Sequence, residues 1–248
     1  MSKLILSTLS TRAAKNVDKD KTKNKTNELL QELEILQNVL YAESKHSLLV
    51  IIQGMDASGK DGLIKDVFTY VNPQGVQVKS WKAPTEEELA HDFLWRIHQH
   101  TPAKGMIQIH NRSHYEDILI TRVHGWIDDA TAKKRIQAIN DFERMLSENA
   151  NTTLLKLYLH ISKEEQHQRL TERMEIPEKM WKYNANDLKE SELWDSYMKY
   201  YQLAFDACNK TPWHIIPSDQ NWYKNYLVAE LLVNTLKSFN MKFPGMKK

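Results

Sequence analysis

Residues 48–62, LLVIIQGMDASGKDG, join a continuous apolar segment to a glycine-containing turn. The apolar segment, Leu48 to Ile52, is typical of a strand that is buried on both faces of a parallel sheet. The spacing from Gly54 to Lys60 is G-x-x-x-x-G-K, and a helical stretch follows it. Between a strand and a helix, this pattern predicts a phosphate-binding loop. The alternative is a plain turn with a surface lysine.

The residue types of this loop suit condensed phosphates. Glycines let the backbone amides turn toward phosphate oxygens, and the N-terminus of the following helix adds a partial positive charge. Lys60 adds a full charge, and we predict it to be a catalytic residue. The other residues predicted to bind phosphate or nucleotide here are Gly54, Met55, Ala57, Ser58, Gly59, Asp61 and Gly62.

Two carboxylates depart from the usual form of the loop. A Ser or Thr that holds magnesium commonly follows the lysine, and Asp61 stands at that position. We interpret Asp61 as a favourable charge in the first turn of the helix. Asp56 lies inside the loop, where it would repel phosphates unless a divalent cation lay between them. We therefore predict Asp56 to be a magnesium ligand.

A second polar segment, NRSHYED at residues 111–117, follows an apolar segment at 106–110. Because parallel strands end at the same edge of a sheet, this segment is predicted to face the phosphate loop. Arg112 is predicted to stabilise charge on a transferring phosphoryl group, and Glu116 to hold or orient the metal. The alternative is a surface ion pair between Arg112 and Glu116.

A third polar segment carries Arg169 and Arg173, which are four residues apart in a helical stretch and therefore share one face. Two guanidinium groups in this arrangement can bind successive phosphates. Pro177 ends the helix, and we predict that residues of about 163–188 form a lid that closes over phosphates and excludes water. The alternative is a solvated arginine face paired with nearby glutamates.

The order of apolar and helical segments predicts the fold class. Five short apolar segments alternate with helical patterns, which indicates an α/β fold with helices on both faces of a mainly parallel, five-stranded sheet. Residues 1–25 are polar and are predicted to be a mobile or surface-draped arm, and residues 26–248 a single domain. The predicted strands are 48–52, 76–81, 106–110, 154–161 and 213–216.

Composition restricts the class of function. Lys and Arg total 34 against 32 for Asp and Glu, and a net charge of +2 excludes the broad basic surface of a general nucleic-acid-binding protein. No apolar run reaches the roughly 18 residues that a membrane helix needs. The single cysteine, Cys208, is predicted to be a buried apolar residue and not a nucleophile. We expect a cytoplasmic protein that binds neither nucleic acid nor membranes.

Taken together, these motifs resemble those of the family-2 polyphosphate kinases, and within that family the single-domain class III enzymes. The resemblance covers about residues 27–243. It implies a three-layer, thymidylate-kinase-like P-loop kinase fold and reversible phosphoryl transfer between polyphosphate and nucleoside mono- or diphosphates. It also implies dependence on Mg²⁺, with Mn²⁺ as a substitute, and a homodimer or homotetramer. The segments that carry it are 54–62, 88–96, 111–117 and 169–182.

The resemblance also assigns roles to individual residues. Many relatives have Asp where this chain has Asn111, a poorer metal ligand, so Glu116 is expected to contribute more to metal coordination. From the residues themselves, and not from the resemblance, Arg169 is expected to clamp the polyphosphate chain, and further basic residues to line a groove for it. The residues at catalytic positions of the family are Asp56, Lys60, Arg112 and Arg173, and the groove residues are Lys65, Lys79, Lys82 and Arg122.

Two other functions remain open on the sequence. An ordinary nucleotide kinase would use ATP as the donor and would not use polyphosphate. A nucleotide-binding regulatory protein would bind nucleotides without turnover. Both are disfavoured because three separate segments suited to phosphate occur in one chain.

Overall fold

The computed structural model describes residues 5–246, in which five strands form one sheet in the order β2-β3-β1-β4-β5. All four strand pairings are parallel, and they confirm the predicted α/β fold. The sequence located every strand to within two residues at its start. The strands are β1 (Ser47–Gly54), β2 (Val76–Ser80), β3 (Ile107–Asn111), β4 (Thr152–His160) and β5 (Trp213–Pro217).

The central strand, β1, divides the core into two halves, because successive side chains of a strand point to opposite faces. Leu49 and Ile51 pack on one side in a core rich in aromatic residues. Leu48, Val50 and Ile52 pack on the other side in a mainly aliphatic core. All five side chains are fully buried. The molecule therefore has three layers, with the sheet between two layers of helices.

The helices follow the pattern that the sequence predicted, although the lid is divided into more pieces. Among the described residues no helix is long and apolar enough to cross a membrane. The helices are α1 (Lys19–Glu43), α2 (Lys60–Val67), α3 (Glu86–Ala90), α4 (Trp95–His98), α5 (Ile120–Val123), α6 (Asp129–Ala150), α7 (Lys163–Glu175), α8 (Pro177–Met180), α9 (Ala185–Glu192), α10 (Trp194–Ala207) and α11 (Asn221–Ser238).

The predicted N-terminal arm of residues 1–25 is wrong from Lys19 onward, since α1 begins there. The Asp18 carboxylate accepts hydrogen bonds from two amides of the first turn and so caps the helix in a segment without an apolar stripe. Earlier residues are also held to the domain: Leu6 is buried, and the Thr11 hydroxyl donates to Asp219 Oδ2 at 2.8 Å. Residues 1–4 lie outside the described residues.

A charged network lies inside the aromatic half of the core. The Lys156 ammonium, fully buried on β4, donates to Glu143 Oε2 of α6 at 2.8 Å and to the Tyr115 hydroxyl at 3.0 Å. Tyr115 in turn donates to Glu143 Oε1 at 2.6 Å. Because Tyr115 belongs to the polar segment after β3, the network fixes that segment to the core.

Cys208 is also fully buried, as predicted, and burial raises its pKa to about 12.

We expect Glu143→Leu to lower the free energy of unfolding by about 3–5 kcal/mol, because it leaves the Lys156 ammonium buried without a carboxylate. The double variant Glu143→Leu/Lys156→Met removes both charges and should recover much of that loss. Glu148→Ala breaks an exposed ion pair of the same helix and is the control, with almost no effect. Urea denaturation measures all three. Equal losses in the single and double variants would contradict this account of the network.

The start of α2 depends on a glycine. Gly59 caps the helix with φ 90°, and a Cβ built there would lie 2.5 Å from Lys224 Nζ. Gly62 lies in the helix, and a Cβ there would meet nothing within 4 Å. The two glycines therefore differ in their need for a missing side chain.

We expect Gly59→Ala to destabilise the protein by at least about 1–2 kcal/mol, because alanine is strained at that backbone conformation and displaces Lys224. Gly62→Ala is the matched control, and it should stabilise the protein by about 0.4–1 kcal/mol because alanine loses less chain entropy on folding. Thermal or urea unfolding tests both. Equal effects of the two substitutions would show that the loop does not require glycine at residue 59.

Candidate functional site

A polar cavity of about 790 Å³ lies beyond the carboxyl ends of the strands, where open parallel sheets bind ligands. Three regions of the chain line it, and they correspond to the three polar segments of the sequence. The phosphate loop (residues 54–60) lies between β1 and α2, the second segment follows β3, and α7 to α9 make up the segment predicted to be a lid. The lining includes Asp56, Lys60, Asp61, Asn111, Arg112, Arg169 and Arg173.

The carbonyl oxygens of the phosphate loop are bound by side chains from three different helices. Lys60 Nζ donates to the carbonyls of Gly54 at 2.8 Å and Met55 at 3.0 Å. From the lid helix α7, Gln166 donates to the Asp56 carbonyl at 3.0 Å and Arg169 to that of Ala57 at 3.1 Å. Lys224 of α11 donates to the Gly59 carbonyl at 3.1 Å. With its carbonyls engaged in this way, the loop leaves amide groups for phosphate oxygens.

The Lys60 ammonium is buried at the loop. Burial lowers its pKa to about 8, and the nearby Arg112 adds to the effect. Two of its three donor positions go to loop carbonyls, which leaves one for a ligand. Lys60 thus lies at the cavity, and its predicted role in binding phosphate stays a prediction.

Close packing explains the conformation of the loop at its start. Gly54 has φ 153°, and a Cβ there would lie 2.8 Å from Ser58 Oγ and 3.0 Å from the Leu159 carbonyl. Ser58 Oγ itself is buried without a hydrogen-bond partner in the described structure. Gly54, Met55 and Ser58 therefore shape the loop from beneath and do not line the cavity.

Arg112 joins the second segment to the phosphate loop through ion pairs on both sides. Its guanidinium forms a short ion pair with Asp56 and a second one with Glu116 Oε2 at 3.4 Å. Burial would raise the pKa of Asp56, but the surrounding cations, chiefly Arg112 and Lys60, lower it and keep it ionised. Glu116 and then Asp56 raise the pKa of Arg112, against the effect of burial. The ion pair proposed as the alternative to a functional role thus exists, but it lies in the site.

The backbone at Arg112 is held in an uncommon conformation. Its φ is 64°, and its amide donates to the Ile52 carbonyl of β1 at 3.0 Å. The next residue, Ser113, is buried and accepts from Gln53 Nε2 at 3.0 Å. Residues held in left-handed conformation by their surroundings often occur at functional sites. Here the conformation directs Arg112 to Asp56.

Asn111 and Asp61 contact each other at the edge of the cavity. Asn111 Nδ2 donates to Asp61 Oδ1 at 2.7 Å. Asp61 was interpreted as a charge in the first helical turn, and the structure gives it this second contact. The amide at residue 111 therefore joins β3 to α2 through a neutral donor. A carboxylate at that position would repel Asp61.

The two lid arginines differ in their surroundings. Arg169 donates to the carbonyls of Ala57, Ser218 and Asp219 and to Glu165 Oε1 at 2.9 Å. Because the N–H groups of Arg169 donate to these protein oxygens, Arg169 is arranged to position the phosphate loop. Among the described residues Arg173 forms an ion pair with a single carboxylate, Asp187 Oδ2 of α9 at 2.5 Å.

The expected basic groove is only partly formed. Lys82 lines the cavity, whereas Lys65, Lys79 and Arg122 do not. Lys65 is exposed on the outer side of α2. Arg122 pairs with Asp129 and lies 4.4 Å from the Tyr200 ring centroid. These three residues thus lie outside the cavity, because a lysine or arginine in a helix or strand can point to either face, and their role in a groove beyond it stays a prediction.

Two residues of the site escaped the sequence analysis. Asp187 lines the cavity, and burial followed by repulsion from Asp56 raises its pKa. Lys224 lines the cavity from α11. Both stand in polar, helical stretches without a motif, so no pattern in a single sequence marks them. For Lys224, the one available signal is its position after the last predicted strand, because that strand end also meets the cavity.

The carboxylates present suit a magnesium ion that is shared with substrate. Asp56 lines the cavity, and Glu116 Oε1 is buried without a hydrogen-bond partner. Among residues 5–246 no group of three or more His, Cys, Asp or Glu side chains is arranged to hold a metal. Mg²⁺ is commonly bound through one or two carboxylates together with substrate phosphates and water, and this set of donors fits that mode.

Comparisons with known proteins agree with this geometry. A family model, "Polyphosphate kinase 2 (PPK2)", matches residues 16–244. An AMP/ADP-polyphosphate phosphotransferase from Meiothermus ruber is 50% identical over 218 residues, which are 87% of this chain and 81% of that protein. An ADP-polyphosphate phosphotransferase from Rhodopseudomonas palustris is 40% identical, over 87% of this chain and 79% of that protein.

A solved structure gives the same result for the fold. The crystal structure of polyphosphate kinase 2 from Arthrobacter aurescens TC1 matches with a TM-score of 0.96 and 41% identity, over 100% of this chain and 90% of that one. The family model, the relatives and the solved structure all cover the three segments that surround the cavity. The chain belongs to the polyphosphate kinase 2 family.

Proposed function

We propose that the protein transfers a phosphoryl group reversibly between inorganic polyphosphate and the phosphate of AMP or ADP, with guanine nucleotides as further acceptors. The observation that carries the proposal is the convergence of Lys60, Arg112 and Arg173 on one cavity at the phosphate loop. The names of the relatives from Meiothermus and Rhodopseudomonas support polyphosphate and adenine nucleotides as the substrates.

Phosphoryl transfer depends mainly on positioning and on neutralising charge in the transition state. The amides of the phosphate loop and Lys60 hold the donor phosphates. Arg112 lies next to Asp56 and stabilises negative charge on the equatorial oxygens of the phosphoryl group in flight. The oxygen of the acceptor phosphate attacks in line, the bond to the polyphosphate oxygen breaks, and no covalent enzyme intermediate is needed.

Arg173 completes the charge neutralisation from the lid. In the structure it pairs with Asp187, whose pKa is raised by burial and by repulsion from Asp56 in spite of this ion pair. A phosphate in the cavity offers Arg173 two or more charged oxygens in place of one carboxylate. We infer that Arg173 exchanges Asp187 for phosphate when substrate is bound, and that the lid then excludes water.

Magnesium is part of the proposal, with Asp56 and Glu116 as its protein ligands and Mn²⁺ as a substitute. When bound, the ion would neutralise phosphate charge between the donor and the loop. The neutral Asn111 remains hydrogen-bonded to Asp61 and is not one of the proposed metal ligands. Activity should disappear with excess chelator and return when Mg²⁺ is added in excess over the chelator.

The deciding experiment supplies Mg²⁺, polyphosphate and either AMP or ADP to the purified protein and measures ATP by luminescence. We expect ADP to yield ATP, and AMP to yield ADP and then ATP. An ATP-dependent nucleotide kinase would instead phosphorylate AMP only with ATP present and would leave polyphosphate unchanged. That pattern would replace the proposed reaction with the rival one.

We expect Lys60→Ala and Arg173→Ala each to reduce kcat with polyphosphate and ADP by about 100-fold or more, since each supplies charge stabilisation to the transition state. Arg144→Ala is the control, because Arg144 also pairs with acidic residues of its helix but is exposed on α6, outside the cavity. Steady-state kinetics measure the effects, and near-normal activity of Lys60→Ala would exclude the proposed role of the loop.

A further inference from the structure

Lys224 is a second buried lysine at the phosphate loop, and the mechanism above does not use it as a ligand. It lies in the first turns of α11, after the strand at the far edge of the sheet, and only 1% of its surface is exposed. Its ammonium donates to the Gly59 carbonyl at 3.1 Å and to Asn221 Oδ1 at 2.9 Å. It also lines the cavity.

Within the part of the chain that the structure describes, the charge of Lys224 has no direct counter-ion. In residues 5–246 no carboxylate forms an ion pair with it, and both of its hydrogen-bond acceptors are neutral. Its charged neighbours are Arg169 of α7, which opposes its protonation, and Asp66 of α2, which favours it. A buried ammonium without an anionic partner is costly, and an anion at its third donor position would remove that cost.

The topology separates Lys224 from the other end of the cavity. Trp81 and Lys82 follow β2 at one edge of the sheet, and Lys224 follows β5 at the other, with the phosphate loop between them. Lys224 therefore lies on the other side of the phosphate loop from the β2 end of the cavity. At the β5 side Lys224 and Arg169 both line the cavity, and their positive charges suit a chain of phosphates.

We propose that Lys224 is a binding residue for inorganic polyphosphate and contacts the phosphates that follow the one held by Lys60. This inference rests on the proposed function and adds a direction to it: the polyphosphate chain runs from the phosphate loop toward α11, away from the β2 side of the cavity. Lys60 and Lys224 contact the two ends of the same loop, at Gly54 and Gly59, and so suit successive parts of one polyanion.

The protonation of Lys224 gives this role a pH signature. Burial, followed by repulsion from Arg169, lowers its pKa to about 7, so in the free protein it loses its charge as the pH rises through that value. Only the protonated lysine attracts phosphate. The apparent affinity for polyphosphate should therefore be highest below about pH 7 and should fall above it, and binding of polyphosphate should take up a proton near neutral pH.

Two substitutions test the proposal. Lys224→Gln keeps a hydrogen-bond donor toward Gly59 but removes the charge, and Lys224→Arg keeps a charge that does not titrate. We expect Lys224→Gln to raise the KM for polyphosphate by about 10-fold or more, because the substitution removes one charge-assisted contact with phosphate. The KM for ADP should change by less than about 2-fold. Lys224→Arg should flatten the rise of this KM between pH 6 and 8.

Lys237→Gln is the matched control, because Lys237 is an exposed lysine in the same helix, paired with Glu32. It should leave both KM values unchanged. If Lys224→Gln raises the two KM values equally, or lowers only the thermal stability, Lys224 merely supports the loop and the proposal is overturned. An unchanged KM for polyphosphate in Lys224→Gln would overturn it as well.

The same measurements separate this inference from the proposed function. If the unmodified protein neither binds polyphosphate in calorimetry nor uses it, the proposed function fails, and this inference fails with it. If the unmodified protein uses polyphosphate and Lys224→Gln binds it equally well, only the inference about Lys224 fails.

Discussion

The site depends on a backbone loop whose carbonyl oxygens are held by cationic and amide side chains. Lys60, Gln166, Arg169 and Lys224 reach the phosphate loop from α2, α7 and α11 and bind its carbonyls between Gly54 and Gly59. A peptide unit with its carbonyl fixed on one side presents its amide to the other. These contacts therefore orient the loop for anions before any ligand arrives, which is the condition for effective electrostatic stabilisation.

The same contacts join regions that are far apart in the sequence. Arg169 bridges the loop to the segment after β5 through the carbonyls of Ser218 and Asp219. The second segment is fixed from behind by Tyr115, which bonds to the buried Glu143 and Lys156. Arg112 is therefore supported by the core as well as by its own ion pairs. Rigid support of this kind keeps catalytic groups within the narrow range of positions that transfer requires.

The sequence predicted the strands of the sheet, the loop between β1 and α2, and the position of Arg112 beside that loop, because a pattern of neighbouring residues marks each of them. Continuous apolar segments marked the strands, and the spacing from Gly54 to Lys60 in that context marked the loop. The start of α1 at Lys19 was missed because Asp18 caps a polar segment that has no apolar periodicity.

Residues that act through tertiary contacts could not be predicted in this way. Arg169 was expected to clamp phosphates, and its donors are instead used by backbone carbonyls from two other segments. Arg122 was expected in the groove, but Asp129 and Tyr200 hold it elsewhere. Lys224 becomes part of the site only because the strand before it ends beside the loop. Such roles follow from the packing of distant segments, which the spacing of residues along one chain does not encode.

The lid combines firm and weakly held parts, and this division explains how it can serve a reaction on a polyanion. Its first helix, α7, is anchored by the buried Gln166 and Leu170 and by the contacts of Arg169. The following helices, α8 and α9, bury no side chain, and Trp181 is 77% exposed. Segments with few buried apolar contacts open at low free-energy cost. The pair of Arg173 and Asp187 joins the firm helix to the weakly held one, so an anion that binds Arg173 also acts on the part of the lid that is easiest to move.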